Sequence, residues 1–287
     1  MTPILEHHHL LGNGVRLHVA HAGPENGRLL LFLHGFPEFW YAWHRQIDFF
    51  ARLGYRVLAP DQRGYNLSDK PRGIAAYRLD QLARDIAGLI QTTGRQRALI
   101  VGHDWGAVVA WWLALQHADC VEKLAVLNGP HPRVMRRYLL HDAEQRRKSW
   151  YIFFFQLPGL PEWRMRKNNW EVARRTLLQT SRPGTFSQAD LEKYCAAWSQ
   201  PGAATAMINW YRAALRHPPG RAGRARVQMP TLVIWGGRDR FLRTELAQAS
   251  LAQCQHGELF LLENASHWVQ HEQAQTVNQR LQQFFTA

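Results

Sequence analysis

Cysteine is scarce in this chain. Cys120, Cys195 and Cys254 are the only three, odd in number and far apart, which excludes a disulfide framework and a thiolate metal site. Free thiols in a reducing compartment are the expectation. No apolar stretch approaches the roughly eighteen uninterrupted residues of a membrane span, and the opening MTPILEHHHL lacks the basic-then-apolar layout of a secretory leader. A cytoplasmic protein with no integral membrane segment is therefore expected. Internal repeats and low-complexity tracts are absent as well. Acidic residues are sparse in one region: Arg133 to Arg226 holds 18 Lys and Arg against 6 Asp and Glu, a net of +12, whereas the rest of the chain nets +1. That region has no helix-turn-helix, zinc-finger or RNA-recognition pattern, so it reads as a solvated basic face rather than a nucleic-acid site.

What is there is an alternation of short apolar runs and amphipathic segments. The 287 residues, 46% of them hydrophobic, suffice for one large core. Ile4 to Leu10 and Val15 to Ala20 read as strands around the turn Gly12-Asn13-Gly14. His7-His8-His9 falls in the first of them; adjacent strand side chains point to opposite faces, so no metal site is expected there. Arg28 to Leu33, Tyr55 to Ala59, Ala98 to Val101, Val121 to Leu127, Thr231 to Trp235 and Leu259 to Leu262 read as further strands. Helices are expected up to Leu53, from Tyr77 to Thr93, after Ala107, from Arg243 to Cys254 and from Val269 to Phe285. The pattern predicts an α/β fold with a mostly parallel eight-stranded sheet and helices on both faces. Strands vanish between 133 and 226, where helical, basic and aromatic sequence is punctuated by Pro and Gly. The chain is thus expected to divide into a core segment 1–132, a helical lid 133–226 and a second core segment 227–287.

The stretch ALIVGHDWGAVV, Ala98 to Val109, organises the rest. Gly102 and Gly106 bracket Asp104 on a sharp strand-to-helix turn, the spacing of a nucleophile elbow with Asp in the usual place of Ser. An Asp there can equally serve as a plain helix N-cap. Two more residues favour chemistry. Asp239, in WGGRD, and His267, in NASHW, each follow a strand, at the sheet edge where open α/β sheets bind ligands. Nucleophile, acid and His in that chain order can form and then hydrolyse an ester. The loop His34-Gly35-Phe36-Pro37 lies where an oxyanion hole is built, with the N–H groups of Phe36 and Trp105 as donors, and Pro37 fixes its turn, a cis bond being one way to do so. Tyr151 and Tyr211 stand in aromatic clusters of the lid and, on pattern alone, read as core or substrate wall.

HGFPEFWYAW, DQRGYNLSDKP, VGHDWGA, YIFFFQLPGLPE, NWYR, WGGRDRF and SHWVQHE, in that order, resemble the blocks of the α/β-hydrolase-fold epoxide hydrolases over nearly the whole chain. The resemblance implies an Asp104 nucleophile, an Asp239/His267 pair that activates water, and Tyr151 and Tyr211 on the epoxide oxygen. It also implies Phe36, Trp105 and Phe155 against the substrate, no metal or organic cofactor, and a small-molecule epoxide and water as partners; the oligomeric state, monomer or homodimer, stays open. Haloalkane and fluoroacetate dehalogenases are similar in fold and nucleophile. The first tend to have a polar residue where this chain has Phe36, the second an Arg where it has Trp105. A non-catalytic ligand receptor on the same fold is a further alternative.

Overall fold

A computed structural model describes residues 4–220 and 222–287 of the chain; Met1 to Pro3 of the first core segment and Arg221 of the lid lie outside them. Eight strands run β1 Glu6–Gly12, β2 Val15–Ala22, β3 Leu29–Leu33, β4 Arg56–Pro60, β5 Ala98–His103, β6 Val121–Leu127, β7 Thr231–Gly236 and β8 Gly257–Leu262. They form one sheet in the order β1-β2-β4-β3-β5-β6-β7-β8. β1 and β2, and β2 and β4, pair antiparallel, and every other pair is parallel. The sheet is therefore mostly parallel, and its central strands β3, β5 and β7 are buried along their whole length, which is why they read as unbroken apolar runs.

Helices α1 His44–Arg52, α2 Leu79–Thr92 and α3 Trp105–Gln116 lie between the early strands. Six helices follow β6: α4 Pro132–His141, α5 Ala143–Lys148, α6 Trp150–Phe154, α7 Leu160–Thr180, α8 Gln188–Trp198 and α9 Ala203–Arg216. After β7 come α10 Glu245–Leu251, α11 Val269–Glu272 and α12 Ala274–Thr286. One core cluster joins Ile47 and Phe50 of α1 and Leu281 and Phe285 of α12 to one sheet face, and a larger one joins α2, α3, α10 and the inserted helices to the other. Burial on both faces drives this layering, each large side chain contributing roughly 2 kcal/mol.

Two local expectations change. The closing segment is two helices, because Gln273 leaves helical geometry at φ −126°, ψ 39°. The segment before α2 is a short 3-10 turn, Ile74–Tyr77, that ends at the extended Arg78, so α2 begins at Leu79 rather than Tyr77. The three cysteines are all unpaired. No helix among the described residues is long and apolar enough to cross a membrane.

Candidate active site

β5 ends at His103, and Asp104 follows with φ 51°, ψ −118°, a backbone that L residues seldom adopt. The strain has a geometric consequence. Asp104 holds the N-cap position of α3 but its side chain makes no capping bond; instead its Oδ1 accepts a 2.8 Å hydrogen bond from the Phe36 N–H. The plain capping role considered for this residue is thereby ruled out. Two glycines make the turn possible: a Cβ on Gly106 would meet Leu33 O at 2.0 Å, and one on Gly35 would meet Asp104 Cβ at 2.4 Å.

The loop that supplies Phe36 is held from behind. The Gln62 N–H donates to His34 Nε2 at 3.0 Å, and the Gln62 side chain donates to His34 O at 2.6 Å. His34 Nδ1 then donates to Gly35 O at 2.9 Å, and burial keeps the ring below its ordinary pKa and neutral, as this pattern requires. The Phe36-Pro37 peptide is cis. Trp105 opens α3 immediately after Asp104.

Asp239 and His267 arrive from the ends of β7 and β8. His267 Nδ1 lies 2.7 Å from Asp239 Oδ2, and its Nε2 lies 3.6 Å from Asp104 Oδ2. Asp239 Oδ1 accepts from the Phe241 and Leu242 N–H groups at 2.7 and 3.0 Å, and Oδ2 from Asn128 at 2.7 Å. Burial pushes the Asp239 carboxyl up, but His267 and these donors outweigh it and hold it below the usual carboxylate range. Burial alone would push the His267 ring down; flanked by two carboxylates, it is instead raised to about 10.

The helices inserted after β6 cover this group. Tyr151 of α6 and Tyr211 of α9 pack edge to face, ring centres 5.9 Å apart, and both line cavities that Asp104 also lines. Burial first and the Asp104 charge after it raise the Tyr151 hydroxyl above its ordinary pKa. Burial also dominates at Tyr211, with Tyr151 and Asp104 adding to it and a hydrogen bond from the Trp105 side chain opposing. Both phenols are thus proton donors across ordinary pH. Phe155 and Phe36 flank Tyr211 at 5.0 and 5.1 Å. The two cavities, about 690 and 550 Å³, share Asp104, Tyr151 and Tyr211; Phe36 and Phe155 line the first, Trp105 the second. Asp104, His267, Tyr151, Tyr211, Phe36, Phe155 and Trp105 are therefore gathered around these cavities, with Asp239 behind His267.

Other residues there escaped the sequence reading. Glu38, fully buried, accepts from Tyr194 and His271 at 2.9 and 2.7 Å on Oε1, and from Gln270 on Oε2 at 3.1 Å. The His103 ring bridges Glu38 Oε2 and the His267 carbonyl at 3.1 and 2.9 Å, so this cluster ties α8 to the backbone of His267. Burial pushes Glu38 up, but His271 and His103 hold it well below its ordinary range. Asn128 spans Asp239 and the Gly236 N–H, which donates to its Oδ1 at 2.9 Å. Arg212, beside Tyr211, forms a double contact with buried Glu162 at 2.6 and 3.1 Å. It also donates to the carbonyls of Phe155 and Leu157, pinning the chain after α6 to α9.

Elsewhere, the adjacent histidines do point apart: His7 and His9 pack on His18, whereas His8 faces His21. Glu6, His8 and His21 nevertheless bring three donor atoms within 4.8 Å of one another, a cross-strand grouping that a count of adjacent residues misses. It lies on β1 and β2 at the outer edge of the sheet, several strands from β5. Glu6 is also the hydrogen-bond partner of His8, at 3.0 Å.

An acid on a strained elbow, a peptide N–H on one of its oxygens, an imidazole at the other and two phenols across the cavity can together open a strained ether and hydrolyse the resulting ester. A family model described as alpha/beta hydrolase fold matches residues 28–274. AB hydrolase superfamily protein YfhM of Bacillus subtilis is 47% identical over 272 residues, 95% of each chain. Epoxide hydrolase 4 of Homo sapiens is 38% identical over 278 residues, 95% of this chain and 76% of that one. Among solved structures, a Bacillus megaterium epoxide hydrolase in complex with an inhibitor is similar with a TM-score of 0.88 and 32% identity, over 98% of this chain and 100% of that one. The chain belongs to the epoxide hydrolase family of α/β-hydrolase-fold enzymes.

Proposed function

We propose that the protein hydrolyses epoxides to vicinal diols through an ester on Asp104, and that the helical segment 133–226 acts as its lid. One observation carries the reading: the two oxygens of Asp104 face different partners, Oδ1 the Phe36 N–H and Oδ2 the open side toward His267. Oδ2 attacks an epoxide carbon; the carbon–oxygen bond breaks, and Tyr151 or Tyr211 protonates the departing oxygen. Oδ1 becomes the ester carbonyl, already seated against the Phe36 donor.

Esterification removes one of the two negative charges that hold the imidazolium. The His267 pKa falls, the ring returns a proton to the tyrosinate, and its neutral Nε2 becomes the base. Water then adds to the ester carbon as His267 takes its proton, and negative charge builds on Oδ1. Each donor at that oxygen contributes about 3 kcal/mol, and the Trp105 N–H is assigned as the second. Collapse releases the second oxygen as the other hydroxyl of the diol, protonated from the new carboxyl, and Asp104 is a carboxylate again. Side chains carry every bond-forming and proton-transfer step. The two phenols favour this reading over halide release, because they donate to an oxygen that stays on the product.

Intact-mass spectrometry of His267→Gln mixed with styrene oxide tests the scheme. A stable adduct of substrate mass on the variant, absent from the turning-over wild type, is expected. An active wild type whose variant carries no adduct would contradict it.

A further inference from the structure

Two properties of the inserted helices take no part in the proposed chemistry. The first is charge, since residues 133–226 hold nearly all the net positive charge of the chain. The second is apolar exposure. Trp150, Phe153 and Trp163 are 62, 50 and 56% exposed, and no other Trp or Phe among the described residues is as open to water. Leu140, Leu157, Leu160 and Leu215 are exposed in the same insertion, Leu160 lining one cavity with Trp150 and Leu140 and Leu215 the other with Phe153. A cluster of bare aromatic and leucine side chains within a basic field marks an interaction face rather than a plain solvated surface.

The placement of α6 gives this face its geometry. The helix has no fully buried residue; its Trp150 lines the larger cavity and its Phe153 the smaller. Arg147, Lys148 and Arg164 line the first cavity and Arg133 and Arg136 the second, so both are bordered by positive charge on either side of one apolar ridge. Lys167 stands 5.0 Å from the Trp163 ring, pairing cation and aromatic as an interface needs them.

We propose that this face docks on a bilayer surface rich in anionic phospholipids, with Trp150, Phe153 and Trp163 among the headgroups and the neighbouring Arg and Lys on lipid phosphates. Such a surface satisfies both properties at once: its phosphates match the charge and its acyl boundary receives the apolar ridge. A second copy of the chain fits less well, because two inserted segments that each net +12 repel. Nucleic acid matches the charge and leaves the leucines in water. Docking would set both cavities facing the membrane, so a lipophilic substrate could pass to Asp104 without crossing bulk water. Only that last step rests on the epoxide reading; docking itself does not.

Vesicle sedimentation without substrate tests the proposal. Wild-type protein should partition onto vesicles of equal parts phosphatidylglycerol and phosphatidylcholine at least about tenfold more than onto pure phosphatidylcholine, and less as salt rises. Leu157→Ser with Trp163→Ser, two residues outside both cavity walls, should lower that partition at least about fivefold. Arg166→Gln with Lys167→Gln should erode the preference for anionic lipid. Equal partition onto both vesicle types would overturn the idea. So would full vesicle binding by the Leu157/Trp163 variant, or a wild-type dimer in analytical ultracentrifugation that this variant abolishes while vesicles bind neither protein.

Discussion

His267 Nε2 stops 3.6 Å from Asp104 Oδ2, while its Nδ1 is hydrogen-bonded to Asp239 at 2.7 Å. The imidazole is thus anchored on one side and faces the carboxylate on the other at ion-pair distance. Its pKa follows the charge on Asp104. In Asp104→Asn the His267 ring should titrate lower than in wild type, where it is raised to about 10. NMR titration of the ring protons checks this, and an unchanged midpoint would remove the coupling on which the proposed second step depends.

Asp104→Ala removes the proposed nucleophile. Diol formation should fall by at least about a thousandfold, the scale seen for loss of a nucleophile. Initial rates with styrene oxide, at matched circular dichroism, measure it.

Tyr151→Phe and Tyr211→Phe should each slow ring opening by about ten- to a hundredfold, and the double change by more than either. Because both phenols are raised above their ordinary pKa, the wild-type ring-opening rate should show no loss from tyrosine ionisation as pH approaches 10. Single-turnover kinetics followed by quenched-flow mass spectrometry separates this step from ester hydrolysis.

Arg212→Leu leaves Glu162 buried without its cation. Breaking such a pair costs about 3 to 5 kcal/mol, and the loss should appear as a lower Tm together with slower ring opening, since Phe155 and Tyr211 share the anchor. Adding Glu162→Gln should recover part of the stability. A variant with wild-type Tm would show that the contact is not needed.

Glu38 couples the site to acid stability. Its folded pKa lies below the ordinary 4.5, so its contribution is complete above that value and is lost as pH falls toward the lower one. Glu38→Gln should lower Tm at neutral pH and flatten the acid side of the Tm-against-pH curve; parallel acid limbs would exclude the role.

The elbow, the loop of Phe36 and the strand ends carrying Asp239 and His267 were legible because each is a local pattern, a few residues at a strand terminus. Glu38, Asn128 and Arg212 were not. Each acts through partners tens to hundreds of positions away, as His271 is from Glu38 and Asp239 is from Asn128, and an isolated Glu, Asn or Arg carries no sign of such a meeting. The inserted helices resist reading for a related reason. In α7, Lys167 to Trp170 leave helical geometry, and Trp170 is held there by a bond to Ser199, the residue that ends α8, a constraint that helix propensity does not record.

Asp104 lines both chambers rather than one alone. A reactive group so placed does not need its target at a molecule's terminus. Under the proposed chemistry, a long, flexible compound with one arm in each chamber would present a mid-chain oxirane to the carboxylate. How the two volumes divide the length of such a compound then decides which of the two ring carbons faces the attack.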